Sequence, residues 1–214
     1  MIEELWPAYG LTITTPRLHM RLPSDLELFR LAALAGQGVH HPSERPFLTP
    51  WTDGTARDRG EYVLRELWGQ LASWHPEDWR LGLGVFTRSG DPVGMVTLRA
   101  RDFRVVREVA TSSWLGLRHH GQGLGTEARA GLLTLAFDHL GVEAAVSEVF
   151  ADNHASQRVS RKLGYQPDGI SRDARGAEVL TSDRLRLTRD RWAATAHDDV
   201  KVTGLEACRS MFEG

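Results

Sequence analysis

The chain has 214 residues, of which 41% are hydrophobic and 25% charged, and its 26 Lys and Arg nearly balance 28 Asp and Glu. A net charge of −2 removes the electrostatic case for a dedicated nucleic-acid binder. The single cysteine, Cys208, excludes an intramolecular disulfide and a cysteine-only metal site, and fits a reducing compartment. A chain of this length can bury roughly 70% of its extended surface, enough for one sizeable core. No window approaches 18 apolar residues, and the opening Met-Ile-Glu-Glu-Leu-Trp-Pro lacks the basic-then-apolar order of a secretory signal, so a cytoplasmic protein is expected.

Taken in order, residues 11–22 alternate in polarity and read as a strand. Pro23-Ser24-Asp25 opens a helix, with Ser24 or Asp25 as N-cap and Leu26, Phe29, Leu31 and Leu34 at helical spacing. Residues 36–54 hold three prolines and three glycines and read as a long, functional loop. A helix follows over 55–75. Strands are expected over 80–87 and 92–99, joined by the hairpin signal Ser89-Gly90-Asp91-Pro92, and a third over 108–117. Leu124, Ala128, Leu132, Leu135, Ala136 and Leu140 mark an amphipathic helix from near Gly123 to Gly141. A strand over 143–150 leads to Asp152-Asn153, which caps a helix that stops at Gly164, and two strands follow, the second over 180–188. This order implies an α/β (α+β) domain with a mixed, twisted sheet of six or seven strands flanked by helices. It spans residues 1–190, and 191–214 form a C-terminal extension packed on it.

The segment between the 108–117 strand and the next helix carries the most information: Gly121-Gln122-Gly123-Leu124-Gly125-Thr126. Glycines here let the backbone adopt positive φ and approach a ligand. The N–H groups and dipole of the following helix suit a phosphate. A nucleotide-hydrolase loop needs a lysine after the last glycine, and none follows Gly125. A dinucleotide loop needs glycine where Thr126 stands. A coenzyme A pyrophosphate loop and a plain flexible turn both remain.

HGQGLGTEA (120–128) resembles the acyl-CoA motif of the GCN5-related N-acetyltransferases, Gln/Arg-x-x-Gly-x-Gly/Ala. Gly123 and Gly125 fill its two small positions, while His120 stands in place of Gln/Arg. DNHASQRVSRKLGYQPDG (152–169) and TTPRLHMRLPSDLELF (14–29) resemble the branch of ribosomal-protein N-terminal acetyltransferases, RimJ and RimL. The segments 38–54, 111–130 and 150–165 are similar to an actinobacterial subgroup that includes a mycobacterial succinyltransferase.

The resemblance implies that acyl-CoA lies between two neighbouring parallel strands that splay apart, here 108–117 and 143–150. Backbone groups of Trp114, Leu115 and Leu117 would then pair with pantetheine. His120, Gly121, Gln122, Gly123, Leu124, Gly125 and Thr126 would hold the pyrophosphate, with Asn153 and Ser156 touching the pantetheine arm. Many family members place a tyrosine acid where this chain has Ser160. Ser156 is therefore expected to face the thiolate, with Ser160 on the same helix face. Ser113 and Ser112 stand on the central strand, where relatives place a water-binding group or carboxylate.

Other candidate bases are Glu108, Glu148, His40 and His41, and the His119-His120 pair has no partners that suggest a metal. Trp51, Trp68, Trp74 and Trp79 are expected near the roof of the acceptor site. Arg45, Arg101, Arg104 or Arg107 could pair with an acidic acyl tail.

The expected function is transfer of an acetyl group from acetyl-CoA to a primary amine through a ternary complex, with no metal, nucleic acid or membrane involved. Succinyl-CoA is the alternative donor. A non-catalytic acyl-CoA-binding module is the alternative of another class, and a dehydrogenase a third. The acceptor amine (protein N-terminus, lysine or small molecule) is not readable. The resemblance implies a homodimer or higher homo-oligomer.

Overall fold

The computed structural model describes residues 2–175, 177–194 and 199–213. The chain starts with a short helix α1 (Ile2–Leu5) and a 3-10 turn, then enters strands β1 (Thr12–Thr14) and β2 (Leu18–Arg21). The single strand expected over 11–22 is thus a hairpin. Pro16 has no N–H to give a ladder, and Thr15 instead closes the turn with Leu18. Helix α2 (Asp25–Gly36) starts at a capping box in which Ser24 and Glu27 satisfy each other's backbone N–H groups. Thr55 and Asp58 build the same device at the start of α3 (Ala56–Ala72).

Strands β3 (Asp78–Thr87) and β4 (Pro92–Arg101) form the expected hairpin, each longer than its alternation suggested. A one-turn helix α4 (Phe103–Val106) leads into β5 (Glu108–Leu115). Helix α5 (Leu124–Thr134) ends in a π turn over Leu135–His139, so the helix expected to Gly141 changes pitch before it stops. Then come β6 (Ala144–Phe150), α6 (His154–Lys162), β7 (Gln166–Arg175) and β8 (Glu178–Thr188). The chain closes with α7 (Arg189–Ala193), β9 (Lys201–Thr203), α8 (Leu205–Cys208) and α9 (Ser210–Glu213).

The described strands form one sheet of nine, in the order β7-β8-β6-β5-β4-β3-β2-β1-β9, against the six or seven expected. The surplus comes from the split first strand and from β9, three residues that pair with β1. Three-residue strands carry no readable alternation, and only a partner edge makes them strands. Part of the 191–214 stretch therefore completes the sheet and the core, with Leu205, Cys208 and Phe212 buried. Residues 195–198 of that stretch lie outside the described ones.

Helices α2 and α3 cover one face of the sheet and α5 the other. Gly82 and Gly84 let α3 and α2 settle onto β3, where a Cβ would strike Leu67 and Leu31. Trp79 lies fully buried at the far end of the α5 face, within aromatic contact of Trp74, Phe103 and Phe212. No helix among the described residues is long and apolar enough to cross a membrane.

Candidate active site

Every neighbouring pair of strands is antiparallel except β5 and β6, which are joined through α5 and run parallel. Their pairing covers only Glu108–Ala110 against Ala144–Val146. Beyond that point β5 stays on β4 as far as Leu115, and β6 stays on β8 as far as Phe150. The two strands therefore part as a V whose walls are each held from behind. The inner edges from Thr111 and Ser147 onward have lost their ladder partners. A buried backbone edge needs hydrogen bonds from elsewhere, and an extended ligand with amides can supply them.

At the mouth of the V, a 3-10 turn over Leu117–His119 leads to the glycine loop. Gly121 and Gly123 have φ of 73° and 79°, in the left-handed region where a Cβ is strained. A Cβ on Gly121 would meet nothing within 4 Å, so this side of the loop is open. Gly123 occupies the N-cap position of α5 and has no side chain to cap it. Among the described residues, the N–H groups of Gly121 to Thr126 find no backbone acceptor. The result is a ring of free donors at the positive end of a helix. The Nε2 of His120 lies 3.1 Å from the carbonyl oxygen of Leu115, so the residue in the departing motif position is tied to the end of β5.

The loop is clamped by two residues that the motif reading missed. The Glu127 carboxylate accepts from Thr15 Oγ1 at 2.6 Å, from the Arg17 amide at 2.8 Å and from Arg17 Nε at 2.6 Å. Arg17 Nη1 in turn donates to the carbonyl of Gln122 at 3.0 Å. Burial pushes Glu127 up, but the bonds from Thr15 and Arg17 outweigh it and hold the carboxyl below its usual range. The β1–β2 turn thus sets the conformation of a loop more than a hundred residues away. Thr15-Pro16-Arg17 lay within a recognised segment, but nothing local connects it to Glu127.

The floor of the V is polar. Arg129, on α5, is 5% exposed. Its Nη2 donates to Ser113 Oγ on β5 at 3.2 Å, and its Nη1 to Ser160 Oγ on α6 at 3.3 Å. Its Nε is buried without a partner among the described residues. Beside it, Thr111 Oγ1 and the Tyr165 hydroxyl lie 3.3 Å apart, a second bridge across the gap. Burial pulls the Arg129 guanidinium below its ordinary value and lifts the Tyr165 phenol. Ser113 and Ser160 are therefore brought together, and Ser160 is fully buried. Ser156, one turn earlier on α6, is only half-buried. Asn153 caps α6, its side chain accepting from the Ser156 amide at 3.1 Å.

Leu117 does not fit its expected role. Its N–H donates to Gly38 O at 3.0 Å and its carbonyl accepts from His120 N at 3.1 Å, so its backbone is already engaged. Trp114 and Leu115, the other two backbone positions expected to meet pantetheine, end the stretch of β5 that has no β6 partner, and the Leu115 carbonyl already meets His120 Nε2.

Alternation puts Ala110, Ser112 and Trp114 on the α2/α3 face of β5, and the register puts Val146, Glu148 and Phe150 on the same face of β6. Ser112 and Glu148, both exposed, thus flank the opening of the V. Glu148 forms no ion pair among the described residues, whereas Glu108 is bound to Arg186.

Above this face the 36–54 loop packs an aromatic group. The Trp51 ring stacks on Tyr62 at 5.0 Å and touches Phe47 and Trp114 at 5.1 and 5.9 Å. Burial and Glu66 push the Tyr62 phenol up to about 12, so it holds its proton at neutral pH. The loop is latched to the β7–β8 hairpin by Asp53 and Arg175 at 2.7 Å.

Of the four tryptophans expected over the acceptor site, Trp51 alone joins this group. Trp74 and Trp79 belong to the far aromatic core, and Trp68 is exposed. His40 places Nδ1 2.8 Å from His41 O and Nε2 2.9 Å from Thr52 Oγ1, so both ring nitrogens are used in folding the loop. Arg101, Arg104 and Arg107 lie at the paired end of β5, away from the V, and Arg45 is on the exposed loop.

Comparison with known proteins accords with this geometry. Residues 17–166 match the family model described as the acetyltransferase (GNAT) domain. The Bacillus subtilis protein named probable N-acetyltransferase YjcK is 32% identical over 94 residues, covering 42% of this chain and 50% of its own length. The chain thus spans half of that curated relative. Among solved structures, Mycobacterium smegmatis RimJ, in complex with CoA-disulfide, superposes with a TM-score of 0.67 at 17% identity, over 88% of this chain and 95% of the other. A RimL ribosomal-protein α-N-acetyltransferase, in complex with coenzyme A, does so with 0.62 at 14% identity, over 81% and 95%. These two share the fold, and they are of the branch that the motifs resemble. With a family match over more than half its residues, laid on a sheet that opens where the motifs require, this chain belongs to the GNAT acetyltransferase family.

Proposed function

We propose that this protein is an acyl-CoA-dependent N-acyltransferase that moves the acyl group from the thioester to a primary amine by direct attack in a ternary complex. The observation that carries the reading is the parting of β5 from β6 after three residue pairs, beside a helix start with free amides. The pyrophosphate lies on the amides of Gly121 to Thr126, next to His120, and the pantetheine arm follows the free edge at Trp114 and Leu115. Asn153 and Ser156 border that arm from α6. The thioester then sits in the V with the α2/α3 face open to the amine.

Little chemistry is needed beyond alignment. An α-amine, with a pKa near 8, is partly neutral at pH 7, whereas a lysine amine near 10.4 needs a base. Glu148, exposed beside the opening, is the carboxylate placed to take the amine's proton, directly or through water. Ser156 is the hydroxyl left to face the departing thiolate, because Ser113 and Ser160 are engaged by Arg129. The acceptor is an amine with apolar surroundings, which the Trp51, Tyr62 and Trp114 rings would pack against. A protein N-terminus of the kind named for the RimL neighbour fits that description. A cytoplasmic setting follows from dependence on acyl-CoA.

Calorimetric titration with acetyl-CoA and NAD, on the wild type and Gly123→Asp, tests the reading. Micromolar acetyl-CoA binding that is lost in the variant is expected. A panel of amines should then release free thiol. No binding of any CoA species would overturn the reading. Binding without thiol release from any amine would reduce the protein to an acyl-CoA-binding module.

A further inference from the structure

Arg80 and Arg99 are not explained by acyl-CoA binding. They are directly opposed in the β3–β4 ladder, and both are exposed. Opposed residues share one face of a sheet, with Cβ atoms about 4.5–5.5 Å apart, and like charges so placed destabilise the pair. Among the described residues neither side chain forms an ion pair or a hydrogen bond. Their face is the one α3 covers, since a Cβ on Gly82, two residues on from Arg80, would strike Gln70 and Leu67. Arg80 borders a cleft of about 400 Å³ between α3 and β3. The other charged groups of that cleft are engaged. Arg65 pairs with Glu61 at 3.1 Å, the Glu66 carboxylate accepts from Gln70 Nε2 at 2.9 Å, and Asp78 stands opposite Arg101. Arg80 and Arg99 are left side by side on an open surface, each repelling the other.

Their place relative to the V gives them a use. Across the β4–β5 ladder Arg99 faces Ala110, the last residue of β5 that pairs with β6. Its diagonal neighbour on β5 is Ser112, at about 7–8 Å, where the opening to the amine begins. Arg80 lies one strand further out, about 5 Å beyond Arg99. The Tyr62 phenol, which burial and Glu66 push up, feels the Arg80 charge in the opposite sense, so Arg80 stands beside the ring on which Trp51 stacks. The cationic pair thus adjoins both the aromatic group and the opening of the V, on the face by which the amine enters. Extended residues advance about 3.3 Å each, so residues two to four of a peptide whose α-amine lies in the V pass within reach of both guanidinium groups.

We propose that the acceptor is a peptide α-amine followed by acidic residues, and that Arg80 and Arg99 set this specificity by binding carboxylates at its second to fourth positions. The inference rests on the acyltransferase reading above and names the chemistry of its acceptor. A carboxylate between the two guanidinium groups relieves their repulsion, and each can hold one through a paired N–H fork. A basic residue at those positions would add a third like charge, so the pair rejects basic termini as well as favouring acidic ones.

The test uses six-residue peptides that differ only at positions two to four, which carry three Glu, three Ala or three Lys. Each set is made with Ser, Ala and Met as first residue, and thiol release is followed with acetyl-CoA and with succinyl-CoA as donor. In the wild type the Glu peptides are expected to exceed the Ala peptides in kcat/KM by about tenfold, mainly through KM, with the Lys peptides lowest. The Glu-over-Ala ratio should narrow as salt is raised to about 0.5 M. The Arg80→Gln/Arg99→Gln double variant should lose that ratio, and Arg80→Glu/Arg99→Glu should invert it in favour of Lys, which a merely structural role for the arginines would not do. Equal kcat/KM for the three sets in the wild type, a Glu preference that survives in the Gln double variant, or a parallel loss with all three sets would each overturn the proposal. Thiol release with small amines but with no peptide would overturn it and leave the acyltransferase reading standing, whereas no binding of any CoA species removes both.

Discussion

Replacing Glu127 by Gln isolates the clamp on the glycine loop. Gln can still accept from Thr15 and from the Arg17 amide, but it turns an N–H toward Arg17 Nε, where the carboxylate now accepts at 2.6 Å. A charge-assisted bond of this kind contributes about 1.5–3 kcal/mol when buried. The Arg17 side chain is 52% exposed, so solvent screening brings the loss to about 1 kcal/mol. For a chain of this length that lowers Tm by about 2–4 °C. With Arg17 released, its hold on the Gln122 carbonyl weakens, and the loop must be ordered by the ligand. A further loss of about 1 kcal/mol in acyl-CoA binding, roughly fivefold in Kd, is expected.

The two effects are read by differential scanning fluorimetry and calorimetry on the same preparation. The pH dependence gives a third reading. Since Glu127 is held below the usual carboxylate range, its contribution is complete above that range and fades as pH falls through its own lower value. The wild-type advantage in Tm must therefore shrink on acidification. Unchanged Tm and Kd, or an advantage that widens in acid, would refute the clamp.

Glu148→Gln should lower kcat by about 10²–10⁴ at neutral pH, with acyl-CoA Kd unchanged, and the loss should diminish at high pH where the amine is already neutral. A variant with wild-type kcat at pH 7 would remove Glu148 from the reaction. Gly94→Ala would set a Cβ against the Trp114 carbonyl and 2.7 Å from Leu115 Cα. Both of these atoms are β5 backbone, which cannot move aside as a side chain would, so a loss of about 2–3 kcal/mol is expected by chemical denaturation. A midpoint equal to that of the wild type would mean that β4 and β5 are less closely joined at the cleft than described.

Local signals carried much of this protein. Capping residues at Ser24 and Asn153, the turn at Gly90, the glycines of the loop and the three- and four-residue spacing of α5 each depend on chemistry within one turn of chain. They located the main helices and strands and the loop that begins α5, because backbone φ, caps and hydrophobic phase are set by near neighbours. Where partners are distant, they were silent. β9 becomes a strand only because β1 offers an edge, and at Pro16, where the 11–22 strand breaks, the turn is fixed by Thr15 reaching the distant Glu127 as well as Leu18.

The site divides in the same way. The glycine loop and the Asn153–Ser156 cap were legible, since their geometry is local. Arg17, Arg129 and the facing positions of Ser112 and Glu148 were not. An arginine on an amphipathic helix reads as a solvated charge. That Arg129 is buried between Ser113 and Ser160 depends on how α5 and α6 close over parted strands. Its surroundings are decided only when those elements pack, because burial and pairing belong to tertiary structure and not to any stretch of chain.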